Sequence, residues 1–403
     1  MRSKNDQTKN DQTMSRREQV KDHCLMYFPG NFMWSQGVLI ALGRIPFGAA
    51  EAGEIFKVAM KLKNHVGDNE RWFTDWTLLA DDIEQLAIQE EKQNHYRTAG
   101  GAFLRASNYH FIAERYLSAK DSRKLDSYEK VMQCFQRGIH YLYPQFEKVN
   151  IPYEGKYLPA YFLPGRDVTA ENPGKTIIGF GGLDSCKEST IPLLTEFIHR
   201  NINCLMVDGP GQGESLRVNK IPSRFDYEVP ASAAYDFVAK RRDVDSNRIG
   251  LMALSMGGYY APRAAAFEHR FKVCVAWGAH FDYHSVWVER RKVLESGGTR
   301  ASAPNFQLPW VLGVETMDEA MKKLQDYTLE GVADKIDCPI LIFHGENDSI
   351  VPVENAYRLY EHVGSRDKTL KIATSEEGGS EHIGADNLTR TLNYLGDWIS
   401  DHL

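Results

Sequence analysis

Hydrophobic positions along this chain change period near residue 145. Between about residues 50 and 144 they recur at three- and four-residue intervals. Trp72, Trp76, Leu79, Ile83 and Leu86 mark one helical face, as do Ala102, Ala106, Tyr109, Ala113 and Tyr116. Leu125, Tyr128, Met132, Phe135, Ile139 and Leu142 form a third stripe, which Pro144 ends because it has no N–H to continue the ladder. Aromatic faces this wide could line a ligand pocket, but they more often pack a core, so the segment reads as a helical module.

Beyond Pro144 the apolar runs shorten. Segments 146–151 and 157–163 read as a strand pair around Glu154-Gly155. Further strands are predicted at 176–180, 204–207, 248–254, 273–277, 340–344 and 370–373, with helical segments such as 191–202, 227–241 and 353–363 between them. Alternating strands and helices imply an α/β fold whose mostly parallel, doubly wound sheet is covered on both faces. Residues 281–333, with Trp287, Trp310, Met317 and Met321, interrupt the alternation and read as a cap insertion. The expected division is therefore a polar tail plus helical module at 1–145 and a core at 146–403 that carries the insertion.

Composition narrows the function. The 403 residues exceed one ordinary domain, and 48 basic against 54 acidic side chains leave a net charge of −6. That balance offers no footprint for nucleic acid or an anionic membrane, so neither is an expected partner. Cys24, Cys134, Cys186, Cys204, Cys274 and Cys338 form no CxxC pair, which argues against zinc knuckles and redox dithiols and for a reducing compartment. No apolar stretch has the length of a membrane span, and the amino terminus lacks a signal-peptide core; a cytoplasmic location is the expectation. Lys4-Asn5-Asp6-Gln7-Thr8 is duplicated at once as Lys9-Asn10-Asp11-Gln12-Thr13, a polar tail that buries nothing, with Met14 beyond it as an alternative start.

The sharpest chemical signal is Arg248-Ile249-Gly250-Leu251-Met252-Ala253-Leu254-Ser255-Met256-Gly257-Gly258, a strand entering a small-residue turn and then a helix. This is the nucleophile elbow G-x-S-x-G with Ala253 in place of its first glycine; a helix-capping serine is the plainer alternative. A serine hydroxyl is a weak nucleophile and needs a base oriented by an acid. Asp348 follows the strand at 340–344, and His382 follows on the glycine-rich stretch Glu377-Gly378-Gly379-Ser380-Glu381-His382. The order Ser255, Asp348, His382 is that of an α/β-hydrolase triad, each member at a predicted strand end. For the oxyanion, the backbone N–H of Met256 is one expected donor, and Gly182 or Leu183, in the run Gly181-Gly182-Leu183-Asp184, supplies the other.

Other motifs carry less. Asp208-Gly209-Pro210-Gly211-Gln212-Gly213-Glu214-Ser215 follows a strand but has neither dinucleotide-loop spacing nor a P-loop lysine, and reads as a structural turn. His280, Asp282 and His284 lack a further ligand spaced to complete a metal site, and Asp282 is an alternative to Asp348 as the acid. Neither a metal nor a cofactor is expected.

With these motifs in place the chain resembles the α/β hydrolases related to 2,6-dihydroxypseudooxynicotine hydrolase, the fungal pigment-pathway enzymes that shorten naphthopyrones, and the fermentation–respiration switch esterase-like proteins. The resemblance covers roughly residues 60–403 and is carried by Gly181-Gly182-Leu183-Asp184, Leu254-Ser255-Met256-Gly257-Gly258-Tyr259-Tyr260-Ala261, Trp277-Gly278, Asp348 and His382. It implies helices that help close the active site, association as a homodimer, and cleavage of a carbon–carbon bond beside a ketone. It also implies an assisting acid beyond the nucleophile strand, for which Glu289 is the loose match; solvated helix charge is the alternative reading of that residue. The expected activity is thus a cofactor-independent serine hydrolase acting on an aromatic or polyketide-like small molecule. An ester, lactone or amide hydrolase, or a binding protein on the same fold, are the alternatives. A prolyl-oligopeptidase reading is disfavoured because its propeller would need repeated short strands where this chain has helices.

Overall fold

The computed structural model describes residues 26–183, 185–295 and 303–403. The duplicated polar tail, Met14, Cys24, Asp184 and residues 296–302 of the expected insertion lie outside them. Five helices come first: α1 (Phe32–Leu42), α2 (Ala52–Leu62), α3 (Asn69–Lys92), α4 (Tyr96–Glu114) and α5 (Ser122–Leu142). Side-chain caps start three of them, since Asn31, Asp68 and Asp121 accept from the backbone N–H groups of Trp34, Arg71 and Arg123. Helix α1 has no counterpart in the periodicity. Its Phe32, Trp34, Ser35, Gln36 and Val38 are all buried, so no polar face alternates with an apolar one. The expected aromatic faces do pack a core. Trp72 lies 4.9 Å from both Trp34 and Tyr116, ring centre to ring centre. Gly37 permits this approach, because a Cβ there would stand 2.8 Å from the Trp72 ring.

The sheet begins with the hairpin β1 (Glu147–Tyr153) and β2 (Lys156–Leu163) and continues through β3 (Gly174–Phe180), α6 (Lys187–Ile198), β4 (Asn203–Val207), α7 (Gly213–Arg217) and α8 (Glu228–Val238). Next come β5 (Val244–Leu254), α9 (Gly257–Ala265), β6 (Cys274–Trp277), α10 (Tyr283–Glu295), α11 (Gln307–Leu312) and α12 (Met317–Leu324). Strand β7 (Ile340–Gly345), α13 (Glu354–His362), β8 (Lys368–Ala373) and α14 (Leu388–His402) complete the chain. The eight strands run in the order β1-β2-β4-β3-β5-β6-β7-β8; β2 pairs antiparallel with β1 and β4, and every later pairing is parallel. Strand β5 starts before its apolar run, at Val244, and positions 245–247 after it are half-buried or exposed polar residues, hence invisible to a hydrophobic pattern.

Alternate strand residues feed two cores. Ile178, Leu251 and Ile342 pack with α8, α9 and α13, whereas Ile177, Met252 and Leu341 pack with α6 and α14. Leu104 of α4 and Phe135 and Ile139 of α5 join the second core, so the amino-terminal helices sit on that layer. Among the described residues, no helix is long and apolar enough to cross a membrane.

A buried ionic seam lies under the same helices. Lys187 is fully buried, with its Nζ 2.8 Å from Glu188, 2.9 Å from Asp208 and 2.9 Å from Glu214. Burial opposes its charge, yet the three carboxylates hold the ammonium pKa well above its usual value. The Tyr128 hydroxyl donates to Glu188 and Asp208 across the boundary. Beside it, Glu114 of α4 accepts from Lys124 of α5 and, at 2.7 Å, from Arg217 of α7. The aspartate-glycine turn after β4 is therefore structural. Asp208 accepts from the N–H groups of Lys187 and Glu214, and a Cβ at Gly213 would overlap its carboxylate at 2.1 Å.

Candidate active site

Strand β5 delivers Ser255 into a left-handed conformation, φ +60°, immediately before α9. A non-glycine residue held there is strained, and this strain lifts the hydroxyl above the strand ends. The backbone is fixed on both sides: Ser255 N–H donates to Trp277 O at 2.8 Å, and Gly258 N–H to Ser255 O at 2.6 Å. Small neighbours are obligatory. A Cβ at Gly257 would stand 2.6 Å from that of Ala253, and one at Gly258 would stand 2.1 Å from Gly278 O. Ala253 fits where the usual motif has glycine.

The loops after β7 and β8 bring the other two residues to it. His382 Nε2 lies 2.8 Å from Ser255 Oγ, and His382 Nδ1 lies 2.6 Å from Asp348 Oδ2. The other oxygen, Asp348 Oδ1, accepts from the N–H groups of Ile350 and Val351 at 2.9 and 2.8 Å. Burial favours a protonated Asp348, but the His382 charge, its hydrogen bond, His344 and the Val351 N–H outweigh burial and bring the pKa down to about 2. His344, buried and pushed toward its neutral form by that burial, faces Asp348 Oδ2 at 3.3 Å and Val351 O at 2.9 Å.

The histidine loop is held by a residue the sequence did not single out. Asp386 accepts from the N–H groups of Gly379, Ser380 and Glu381 at 2.8, 3.1 and 2.9 Å. Trp277 Nε1 donates to Ile383 O at 2.7 Å from beneath, tying the loop to the strand beside the serine. Asp386→Ala is expected to lower kcat by about ten- to a hundredfold with little change in KM, because it frees the imidazole from its bonding geometry. Steady-state kinetics check this, and Asp386→Asn, which keeps one acceptor oxygen, should recover part of the loss.

The N–H groups of Met256, Gly182 and Leu183 have no acceptor among the described residues. Gly182 presses against the serine, since a Cβ on it would stand 2.7 Å from Ser255 Cβ. Its loop is anchored by Gln212, whose Nε2 donates to Gly181 O at 2.6 Å and whose Oε1 accepts from Gly181 N–H at 3.3 Å. Above Ser255 and His382 lies a cavity of about 140 Å³. Its walls include Ile40 of α1 and Arg44 just beyond it, Phe111 and Arg115 at the end of α4, and Tyr283 and Arg290 of α10.

The remaining candidates are placed elsewhere or otherwise. Glu289 is 66% exposed and pairs with Lys292 at 2.6 Å; the structure does not bring it to the serine. Its neighbour Arg290 faces the cavity instead. Asp282 accepts from Ser285 N–H at the start of α10 and is not the partner of His382. His280 lines the cavity, and burial together with the His382 charge lowers its pKa to about 3, so it stays neutral. His280, Asp282 and His284 do not converge on a common point with metal-ligand spacing. Among the described residues, the cluster with such spacing is Glu84, His110 and Cys134, on α3, α4 and α5. There Lys130 Nζ already engages both Glu84 oxygens, at 3.1 and 3.0 Å.

Comparison with known proteins agrees with this architecture. The model of the Prolyl oligopeptidase family matches residues 231–403. The likeness set aside for want of a propeller thus holds for the part that carries the serine, aspartate and histidine, while helices precede it here. The hydrolase LUC6 of Fusarium sp is 31% identical, over 93% of this chain and 97% of its own. The 20-hydroxy-prefusarin hydrolase FUS2 of Gibberella moniliformis is also 31% identical, over 89% of this chain and 93% of its own. The crystal structure of 2,6-dihydroxy-pseudo-oxynicotine hydrolase superposes with a TM-score of 0.75, at 24% identity, over 90% of this chain and 95% of that one.

Proposed function

The chain belongs to the α/β hydrolases, with the fungal hydrolases it matches along nearly its whole length, and we propose that it hydrolyses a bond to a carbonyl carbon of a polyketide-like small molecule through Ser255, His382 and Asp348. The observation that carries this reading is the continuous relay from Ser255 Oγ through His382 to a buried, ionised Asp348, opening onto a cavity of about 140 Å³.

Ser255 Oγ attacks the carbonyl carbon as its proton passes to His382 Nε2, and Asp348 steadies the imidazolium from Nδ1. The tetrahedral oxyanion rests on the N–H of Met256 and that of Gly182 or Leu183. Its collapse breaks the bond to the leaving group, which takes the proton from His382, and leaves an acyl-serine. A water molecule, deprotonated by His382, then attacks the acyl carbon and releases a carboxylic acid.

The leaving group is a carbon, expelled as an enol, in the reading closest to the 2,6-dihydroxy-pseudo-oxynicotine hydrolase fold. A second reading, an ester or lactone, is favoured by one observation: no Asp or Glu lines the cavity among the described residues, and an alkoxide needs only His382 as its acid. Both readings give the amino-terminal helices and the expected cap insertion a role. Cavity residues come from the first 145 residues and from the 281–333 insertion, which supports these two segments as the parts that choose the substrate.

Paired β-diketone and ester substrates with a common acyl group distinguish the readings by product analysis. Carboxylic acid and ketone from the diketone are expected; turnover of esters alone would remove the carbon–carbon reading. Labelling of wild type but not Ser255→Ala by a fluorophosphonate tests the nucleophile, and no labelling at all would return the chain to the binding-protein alternative.

A further inference from the structure

Arginines in this protein are mostly paired. Arg217 meets Glu114, Arg241 meets Glu147 and Asp243, and Arg263 meets Glu228. Three that line the active-site cavity, Arg44, Arg115 and Arg290, form no ion pair with any described carboxylate. Arg44 is buried, and the one side-chain hydrogen bond it makes among the described residues is from Nε to the carbonyl of Ser189, at 2.8 Å. Burial and the nearby Arg115 charge lower its pKa to about 10, which still leaves it cationic near neutrality. Arg115 Nε is buried with no acceptor, and the side chain interacts with the Tyr116 hydroxyl. Arg290 lies over the Trp287 ring at 4.3 Å and reaches Ile350 O at 3.4 Å.

Two guanidinium groups whose charges oppose each other, in a cavity with no acid among its described lining residues, are unfavourable unless something else supplies negative charge. Arginine is also the side chain whose planar fork matches a carboxylate with two parallel bonds. The pairing fits neither a structural salt bridge nor a solvated surface, since both groups open onto the space above Ser255.

Resting on the hydrolase reading above, we infer that the substrate carries a carboxylate, distinct from the carbonyl that Ser255 attacks, and that Arg44 and Arg115 bind it. Arg290 adds positive potential to the same cavity from α10. The amino-terminal helices then select for charge as well as shape, and a neutral ester of the same acid is a poor substrate.

Two series of fluorophosphonates of matched tail length test this, one ending in a carboxylate and the other in its methyl ester, with Ser255 modification followed by mass spectrometry. At the tail length that fits, the carboxylate probe should react roughly tenfold or more faster in wild type. That ratio should fall toward one in Arg115→Gln and Arg44→Gln, decline with added salt, and persist in Arg115→Lys. Equal rates at every tail length, or a ratio insensitive to both Gln variants, would overturn the inference. Failure of both series to modify Ser255 would instead strike the hydrolase reading.

Discussion

Ser255→Ala is expected to lower kcat by about a millionfold, and adding His382→Ala to it should cost little more, because the two groups act as one unit. Asp348→Asn should lower kcat by roughly ten-thousandfold for a different reason. Asp348 Oδ1 accepts two backbone N–H groups, from Ile350 and Val351, while Oδ2 faces His382 Nδ1 and His344 Nε2. An asparagine has one acceptor, and the two N–H groups claim it. Its NH₂ then points at His382 Nδ1, which must become the acceptor, so the proton moves to Nε2 and the imidazole can no longer take one from the serine. Rate measurements on a diketone or an ester reveal this loss. An unchanged melting temperature in Ser255→Ala would show that its defect is chemical.

Lys187→Met is expected to destabilise the fold by about 3–5 kcal/mol, which leaves activity at low temperature but removes it on mild heating. The substitution leaves Glu188, Asp208 and Glu214 around an uncharged side chain, with Asp208 wholly buried. The sign of the pH dependence identifies the cause. In the variant these carboxyls take up protons more readily folded than unfolded, so stability falls as pH rises. In wild type the Lys187 ammonium, with its raised pKa, opposes that uptake, holding Glu214 below its usual value although burial still raises Asp208, and neutral His280 must be protonated on unfolding below its ordinary range. His280 therefore makes wild-type stability fall as pH drops from about 6.5 toward 3, the window set by its lowered pKa. Melting curves across pH separate the two behaviours, and parallel curves would refute this account of the seam.

Serine, aspartate and histidine were legible because each sits at the end of a strand whose apolar run is short and continuous, and because their order is restrictive. The loop Gly181-Gly182-Leu183, which the structure places against the serine, was legible for the same reason. Helix α1 was not, since burial on all sides removes the polar positions that reveal a period. Asp386 was hidden by its partners, three backbone N–H groups that no sequence pattern displays. Glu289 and Arg290 differ by one position, which is about 100° around a helix. Both are charged, and only the packing of Tyr283 and Trp287 decides which of the pair turns inward. The Arg44–Arg115 pair joins residues 71 positions apart, and each alone reads as ordinary surface charge.

The seam beneath the amino-terminal helices also bears on how such proteins can diversify. A recombination joint placed at residue 145 would inherit Glu114, Lys124 and Tyr128 from one parent and Lys187, Asp208 and Arg217 from the other. Unless both parents match charge for charge, the hybrid would carry a buried ion without its counter-ion, and selection would discard it before its catalysis mattered. New specificities should therefore accumulate by point changes on the cavity wall, around a boundary that is inherited whole.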